Sequence, residues 1–253
     1  MRRTKIICTM GPATDNEDVL RDLMLNGMDV ARLNFSHGSH EEALERINRI
    51  KKVRDELNIP VAILLDTKGP EVRIKDFKEG KVELKEGQKF TLCTDDVVGD
   101  ENQVSITYAN LPNDVKVGSK ILIDDGLIEM EVISVKNSKI LCKVKNGGVV
   151  SNKKGVNVPN VALSMPYMSQ KDIDDILFGI EQDVDFIAAS FVRTADDIRE
   201  IKTLLRDNGG RDIRIIAKIE NAEGVDNIDD IIRETHGIMV ARGDMGVEID
   251  MHD

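Results

Sequence analysis

The chain has 253 residues, of which 41% are hydrophobic, and this is enough apolar material for the core of one large domain or two smaller ones. Its 46 acidic and 35 basic residues give a formal charge of -11, which argues against nucleic acid or an anionic membrane as the main partner. Three widely spaced cysteines predict neither a disulfide framework nor a zinc ribbon, and no stretch resembles a signal peptide or a membrane span, so we expect a cytoplasmic protein.

The first seventy residues alternate between predicted strands and predicted helices. The run TKIICTM predicts a strand, and Thr14 or Asp15 is the expected cap of the helix that follows. GMDVARLNF predicts a second strand, and the spacing of Ser39 and Glu42 predicts a capping box for a helix that runs through Leu57. VAILLD predicts a third strand. This order is typical of a parallel sheet with crossover helices.

The pattern changes from about Val72 to about Val158. Here short alternating runs such as KVELKEG, KFTLCT and KILCKVKNGG are separated by Gly, Asp and Asn turns, without a helix of useful length. The DDG at 124–126 predicts a hairpin turn. The segment is therefore predicted to be an inserted all-β module, either a small barrel or a sandwich.

The strand and helix alternation returns after Pro159. We predict helices at 169–182, 194–208 and 225–235, and strands at VDFIAASFV, IRIIAKIE and GIMVARGD. The chain thus has six strand and helix units around one β insert. Apolar strands that end in polar clusters suit a (β/α)8 barrel, but a doubly wound sheet also needs about six strands, so both topologies stay open.

Polar side chains recur at the predicted strand ends. In VARLNFSHGSHEE, the residues Arg32, Asn34 and Ser36 occupy every second position, which places them on one face of a strand. Further strand ends add Asp66, Thr67, Arg73, Lys218, Glu220 and Asp244. Because the carboxyl ends of parallel strands lie at the same edge of a sheet, these side chains are expected to converge.

The chemistry of this set indicates phosphoryl transfer. Glu220 and Asp244 suit a hard divalent cation such as magnesium, which leaves coordination positions for substrate oxygens. Arg32, Arg73 and Lys218 suit anionic groups, most plausibly phosphate, whose charge must be neutralised during transfer.

The oxygens of Asn34, Ser36, Asp66 and Thr67 suit a monovalent cation better than a second divalent one. Each residue also has a structural interpretation, since an arginine at a strand end is usually a surface ion pair. His37 can be a solvated loop or cap residue. The recurrence at several strand ends favours a functional site.

Several motifs resemble the pyruvate kinase family in order and spacing. They are TKIICTMGPAT, GMDVARLNFSHG, LLDTKGPEVR, DDGLI, KKGVNVP, EQDVDFIAASFVR, IIAKIEN and GIMVARGDMGVEI, and they run from Thr4 to about Ile249. The resemblance implies transfer of a phosphoryl group from phosphoenolpyruvate to ADP, which gives pyruvate and ATP in glycolysis. It also implies an α/β fold, a (β/α)8 TIM-type barrel with an inserted all-β barrel domain.

The resemblance assigns roles to the residues that match these motifs. Arg32 and Lys218 would contact the transferring phosphate, and Lys218 would stabilise charge in the transition state. Glu220 and Asp244 would hold magnesium or manganese. Backbone amides near Gly243 and Asp244 would receive the pyruvate carboxylate.

The potassium site of the family would lie at Asn34, Ser36, Asp66 and Thr67. Glu71 resembles the potassium-dependent branch of the family, whereas the independent branch is expected to carry lysine there.

Nucleotide binding would fall to Asn34, His37, Arg73, Asp125 and Lys154. The last two lie on the inserted domain, which would act as a lid that closes over the nucleotide phosphates and excludes water.

The resemblance implies a domain division into 1–70 as the first part of the barrel, 71–158 as the lid and 159–253 as the second part. Family members continue through two more barrel strands and a C-terminal domain with effector and subunit contacts, and they are expected to be homotetramers. We therefore expect a barrel truncated after about six strands, and a chain that is inactive or nearly inactive alone. Two alternatives remain open: a metal-dependent barrel lyase acting on pyruvate-like substrates, and a non-catalytic binding or assembly module.

Overall fold

The computed structural model of the chain describes residues 3–249. Two compact units are present. The first, here called the α/β unit, comprises Met1–Gly69, Tyr167–Ile219 and Asn227–Met239. The second, here called the β unit, comprises Pro70–Pro166, Glu220–Asp226 and Val240–Asp253. The domain division predicted from the sequence, with boundaries at 70/71 and 158/159, stays a prediction.

Strands and helices are numbered along the described residues. The strands are β1 (Ile7–Thr9), β2 (Val30–Asn34), β3 (Ala62–Asp66), β4 (Val72–Arg73), β5 (Lys81–Leu84), β6 (Lys89–Cys93), β7 (Gln103–Ser105), β8 (Lys120–Ile123), β9 (Ile128–Lys136), β10 (Lys139–Val144), β11 (Gly148–Ser151), β12 (Gly155–Asn157), β13 (Phe186–Ala189), β14 (Arg214–Ile219) and β15 (Gly237–Val240). The helices are α1 (Glu17–Leu25), α2 (His40–Leu57), α3 (Leu111–Asp114), α4 (Gln170–Glu181), α5 (Ala195–Asp207), α6 (Ala222–Asp226), α7 (Ile228–Glu234) and α8 (Arg242–Glu248). None of the helices in residues 3–249 has the length and hydrophobicity that a membrane-spanning helix needs.

A six-stranded sheet carries the strands that alternate with helices. Its order is β1-β2-β3-β13-β14-β15, and the pairs from β1 through β14 are parallel. The strand order follows the chain order without reversal, whereas a doubly wound sheet reverses at a switch point. The α/β class is therefore confirmed, and the sheet is a curled, barrel-type parallel sheet.

In the α/β unit, helices α1, α2 and α4 begin where short polar side chains cap them. The Ser39 hydroxyl accepts the Glu42 N–H at the start of α2. The helix ends at Leu57 and is followed by Asn58, which has a left-handed φ of 53°. Four apolar residues spaced three or four apart give α2 its buried face: Ala43, Ile47, Ile50 and Val53.

The predicted cap of α1 was wrong. Asn16, not Thr14 or Asp15, accepts the N–H of the first turn. The Thr14 hydroxyl instead bonds to the backbone of Gly11 in a 3-10 turn, and the Asp15 carboxylate pairs with arginines of α2. Both side chains are therefore engaged elsewhere.

Three other predicted elements differ from the structure in their extent. The predicted helix 225–235 is divided into α6 and α7 at Asn227, whose side chain donates to the carbonyl of Arg193. The strand in VDFIAASFV ends at Ala189, and Phe191 has a φ of 53°. GIMVARGD is a strand only to Val240, because the next residues form α8.

The β unit contains the predicted all-β insert. Its larger sheet has the order β4-β12-β8-β9-β10-β6-β7, and β11 pairs with β5. A continuous apolar core lies inside it, with Phe90, Leu92 and Val132 among its fully buried members. The DDG turn joins β8 to β9 with positive φ at all three residues, so the predicted hairpin is confirmed. Its single helix within 72–158, α3, has four residues.

Candidate functional site

Within the α/β unit, side chains from four adjacent strands meet at the carboxyl edge of the sheet. Arg32 lies on β2, Asp66 ends β3, Ser190 follows β13 directly, and Lys218 lies on β14. The first, second and fourth of these residues were predicted to converge. The structure brings them together.

Asp66 is the centre of this group, and its side chain is only 2% exposed. Arg32 Nε donates to Asp66 Oδ2 at 2.7 Å, and a second guanidinium nitrogen contacts the same oxygen. Lys218 Nζ lies 3.1 Å from Asp66 Oδ1. Two cations thus share one carboxylate, which leaves the group with an excess of positive charge that favours an anionic ligand.

Ser190 was missed by the sequence analysis. Its buried hydroxyl accepts a hydrogen bond from Lys218 Nζ at 2.8 Å and lies within donating distance of the Thr67 carbonyl (2.7 Å) and Asp66 Oδ1 (3.2 Å). The available signal was its position at a strand end, but the predicted strand ran on through Val192 and so hid it.

Thr9 was missed as well. It ends β1, pairs in register with Arg32, and its hydroxyl accepts a hydrogen bond from the Arg32 guanidinium at 3.0 Å. The same rule of polar residues at strand ends would have found it.

The residues predicted for potassium lie on two neighbouring strand ends. Asn34 and Asp66 are in register on β2 and β3. Ser36 lies beyond the end of β2, so the predicted alternation on one strand face was wrong for this residue. A turn places it instead, since the Asn34 side-chain oxygen accepts the Ser36 N–H at 2.9 Å.

Thr67 completes this oxygen set. Its hydroxyl accepts the Ser190 N–H at 3.1 Å, which fixes its rotamer inside the unit. Amide, hydroxyl, carboxylate and carbonyl oxygens on adjacent loops are the donors that hard cations prefer, so the residue types fit a cation such as potassium.

The two carboxylates predicted for the divalent cation follow adjacent strands. Glu220 comes directly after β14 and is 1% exposed, whereas Asp244 is exposed in the first turn of α8, after β15. No group of three or more His, Cys, Asp or Glu side chains with metal-binding geometry occurs in residues 3–249. Magnesium often takes only one or two protein carboxylates together with substrate oxygens, so the pair fits its chemistry. Gly243 shares the first turn of α8, where backbone N–H groups lack helical partners.

The residues predicted for nucleotide binding fall into two groups. Asn34 and His37 are exposed in the α/β unit, and Arg73, Asp125 and Lys154 belong to the β unit. The guanidinium of Arg73 lies 2.6 Å from a Glu71 carboxylate oxygen and donates to the Lys153 carbonyl.

Lys154 Nζ lies 2.9 Å from Asp124 Oδ1, while its neighbour Asp125 is exposed in the hairpin turn. Arg73 and Lys154 are thus both paired with acidic side chains.

Comparison with known proteins adds an independent finding. The family model described as pyruvate kinase, barrel domain, matches residues 1–253. A pyruvate kinase of Clostridium perfringens is 51% identical over 250 residues, which cover 98% of this chain and 53% of the relative. That of Geobacillus stearothermophilus is 54% identical over 250 residues, covering 98% of this chain and 43% of the relative. The chain thus spans about half the length of the curated relatives it matches.

Proposed function

The chain belongs to the pyruvate kinase family, and we propose that it serves phosphoryl transfer from phosphoenolpyruvate to ADP, which yields pyruvate and ATP in glycolysis. Pyruvate kinases are phosphotransferases, so membership of the family supports this class of reaction. The observation that carries the proposal is the buried Asp66 carboxylate, shared by Arg32 and Lys218 at the carboxyl edge of the sheet.

In this proposal Arg32 and Lys218 hold the phosphoryl group. Asp66 binds one side of each cation and so orients both toward a common region. Lys218 is the catalytic group, because a fixed ammonium stabilises the charge that develops on the transferring oxygens. Ser190 Oγ accepts one of the ammonium hydrogens and restricts the rotation of the lysine.

Glu220 and Asp244 would hold magnesium or manganese, which supplies charge neutralisation for the phosphoryl oxygens when it is bound. The backbone N–H groups near Gly243 and Asp244 are proposed to receive the carboxylate of the substrate. This assignment rests on the family resemblance, and the first turn of α8 has backbone N–H groups without helical partners.

Potassium is proposed to bind at Asn34, Ser36, Asp66 and Thr67. The register of β2 and β3 supports this, since it places the first and third of these residues side by side. Glu71 is the acidic residue that we expect in the potassium-dependent branch of the family.

The nucleotide is proposed to contact Asn34 and His37 in the α/β unit and Arg73, Asp125 and Lys154 in the β unit. The β unit residues lie on β4, on the β8–β9 turn and next to β12. Arginine and lysine suit the nucleotide phosphates.

We also propose the division into 1–70, 71–158 and 159–253, a cytoplasmic location and membership of a homotetramer, which rest on the family alone. Phosphoenolpyruvate and ADP are the proposed ligands, and neither nucleic acid nor a membrane is a proposed partner.

The test is a lactate dehydrogenase-coupled assay of pyruvate formation. Residues 1–253 would replace the matching segment of the Geobacillus stearothermophilus relative, because the chain alone covers 43% of that protein. We expect the chimera to need ADP, magnesium and potassium. Lys218→Met should lower kcat by roughly 100-fold or more with a much smaller change in KM, since the ammonium acts mainly in the transition state.

Unchanged kcat in that variant would contradict the role of Lys218. Pyruvate formation that does not depend on ADP would favour a lyase instead, because a lyase has no use for a nucleotide.

A further inference from the structure

Helix α4 carries two buried carboxylates three positions apart. Asp172 is 2% exposed and Asp175 is 1% exposed, whereas Asp174 between them is exposed. Residues three apart lie on the same side of a helix. This side of α4 therefore has two buried negative charges, which must be compensated by partners in the α/β unit.

Asp172 binds the loop that follows β3. Its Oδ2 accepts hydrogen bonds from the backbone and hydroxyl of Ser169, as a capping box requires. Its Oδ1 accepts the Gly69 N–H at 2.9 Å, which helix capping does not require. Gly69 follows Asp66 and Thr67 closely, so this bond fixes the chain directly after the oxygens proposed for potassium.

Asp175 binds the first residue of α2, directly after the loop that follows β2. Its Oδ1 lies 2.7 Å from His40 Nε2, and its Oδ2 lies 2.8 Å from Lys171 Nζ. His40 is the first residue of α2, and its ring stacks on Phe178 with centroids 4.4 Å apart. Phe35, two residues before His37, packs against both rings.

The ring of His40 contacts residues outside α2. The N-terminal end of a helix carries a partial positive charge and favours acidic groups, and α2 has Glu41 and Glu42 there. The ring of His40 is instead turned to the buried carboxylate of α4. Its contacts connect the beginning of α2 to α4.

We infer that Asp172 and Asp175 are positioning residues, which hold at a fixed separation the two segments, here called loops, that follow β2 and β3 beside Asn34, Ser36 and Thr67. A cation site formed from two separate loops needs such a brace, because supporting groups outside the coordination shell determine how well the ligands are oriented. The inference about the cation rests on the proposed function. The inference about the loops does not.

The first experiment measures amide hydrogen exchange in the 253-residue chain without potassium. Asp172→Ala should speed exchange of Gly69 by about fivefold or more, because a lost hydrogen bond is worth about 1 kcal/mol, and leave residues 36–42 unchanged. Asp175→Ala should speed exchange in residues 36–42 and leave the exchange of Gly69 unchanged. His40→Phe retains an aromatic ring beside Phe178 but removes the donor, so it should reproduce the effect of Asp175→Ala.

Asp174→Ala is the matched control, since it removes an exposed carboxylate from the same helix. It should change neither loop. Equally faster amide exchange throughout α4 and the sheet, or no change in either loop, would contradict the inference that Asp172 and Asp175 position the loops.

The second experiment follows backbone NMR shifts of Ser36 and Thr67 during titration with potassium chloride, with lithium chloride as the ionic-strength control. The potassium half-saturation point should rise roughly tenfold in Asp172→Ala and Asp175→Ala, and not in Asp174→Ala. Unaltered potassium affinity in variants with accelerated loop exchange would overturn the positioning role. Absence of potassium-specific shifts in the unsubstituted chain would count against the proposed function, while the exchange experiment still decides the brace.

Discussion

The contacts of the buried Asp66 side chain serve both the stability of the fold and the proposed site. A carboxylate that is 2% exposed is costly unless charged or polar partners surround it. The partners are Arg32 on β2, Lys218 on β14 and Ser190 directly after β13. The arrangement also fixes two cations without neutralising both, and this surplus of charge is what the proposed phosphoryl site requires.

Ser190→Ala tests the hydroxyl that the sequence analysis missed. The variant should lower the free energy of unfolding by about 1 kcal/mol, since Lys218 loses one acceptor and the hydroxyl loses its own bond to the Thr67 carbonyl. In the chimera kcat should fall by about tenfold, because the ammonium is less well held. Urea unfolding and the coupled assay measure the two effects.

Ser134→Ala is the control, because Ser134 is exposed on β9 of the β unit. Unchanged kcat and an unchanged free energy of unfolding in Ser190→Ala would show that the hydroxyl does not position Lys218.

His236 gives a pH dependence with a definite sign. Its Nδ1 accepts the Ile215 N–H at 3.0 Å, and partial burial, with the charges of Arg214 and Lys202, lowers its pKa from the ordinary value of 6.5. The unfolded chain therefore takes up the proton at higher pH than the folded chain. The stability due to this group is present above pH 6.5 and is lost as the pH falls through the lowered pKa.

The measurement for His236 is the free energy of unfolding in urea at a series of pH values. His236→Asn keeps an acceptor for the N–H but cannot titrate, so it should reduce the loss of stability between about pH 7 and pH 5. His37→Asn, which changes an exposed histidine, should leave that loss intact. An identical pH profile for all three proteins would contradict the prediction.

At the scale of elements, the site depends on short loops held by α4 and by close backbone contacts. Gly69 has a φ of 70°, and a Cβ atom there would lie 2.7 Å from the Ser190 carbonyl oxygen. Tyr167 donates its hydroxyl hydrogen to that same oxygen at 3.0 Å. The loop after β3 is therefore packed directly against the loop after β13.

Gly69→Ala should be markedly destabilising for this reason. Gly80→Ala is the matched control, because Gly80 also has a positive φ, 76°, but has open space where the Cβ would be. The control should cost about 1 kcal/mol for its backbone conformation. Gly69→Ala should cost at least about 2 kcal/mol more, because the Cβ adds a steric clash.

Urea unfolding, followed by amide signals of the unit that carries each substitution, measures the difference. An equal loss of unfolding free energy at the two positions would mean that the Ser190 carbonyl does not exclude a Cβ atom at position 69.

Elements with strong local signals were predictable. Ser39 and Ser169 marked the starts of α2 and α4, because capping acts between residues close in sequence. The division of 225–235 into α6 and α7 was not predictable, since it depends on a hydrogen bond between Asn227 and the distant Arg193 carbonyl. Ser190 was missed because the predicted strand ran past it, whereas β13 ends at Ala189.

At the scale of the whole molecule, strand order decides what periodicity left open. Six apolar strands fit either a barrel or a doubly wound sheet, and only the pairing of β3 with β13 across the β insert distinguishes them. Long-range pairing of this kind leaves no local mark in the sequence. The resemblance of the motifs predicted it correctly, and the match of the family model to residues 1–253 confirms the family.

Two compact units make up the described chain, and both contain buried apolar residues. The chain spans 43% to 53% of the curated relatives considered above. The proposed chemistry places the phosphoryl contacts in the α/β unit. Both proposed phosphate contacts, Arg32 and Lys218, belong to this chain, so its binding of phosphoenolpyruvate can be measured separately from turnover.

The most direct test is calorimetric titration of the 253-residue chain with phosphoenolpyruvate in the presence of magnesium and potassium. We predict that Arg32→Met weakens binding by at least about tenfold, because it removes charge-assisted hydrogen bonds to the phosphate. Arg206→Met, which removes an exposed arginine paired with Asp207, should leave the affinity unchanged. Equal affinity for phosphoenolpyruvate in the Arg32→Met and Arg206→Met proteins would contradict a phosphoryl site at the strand ends.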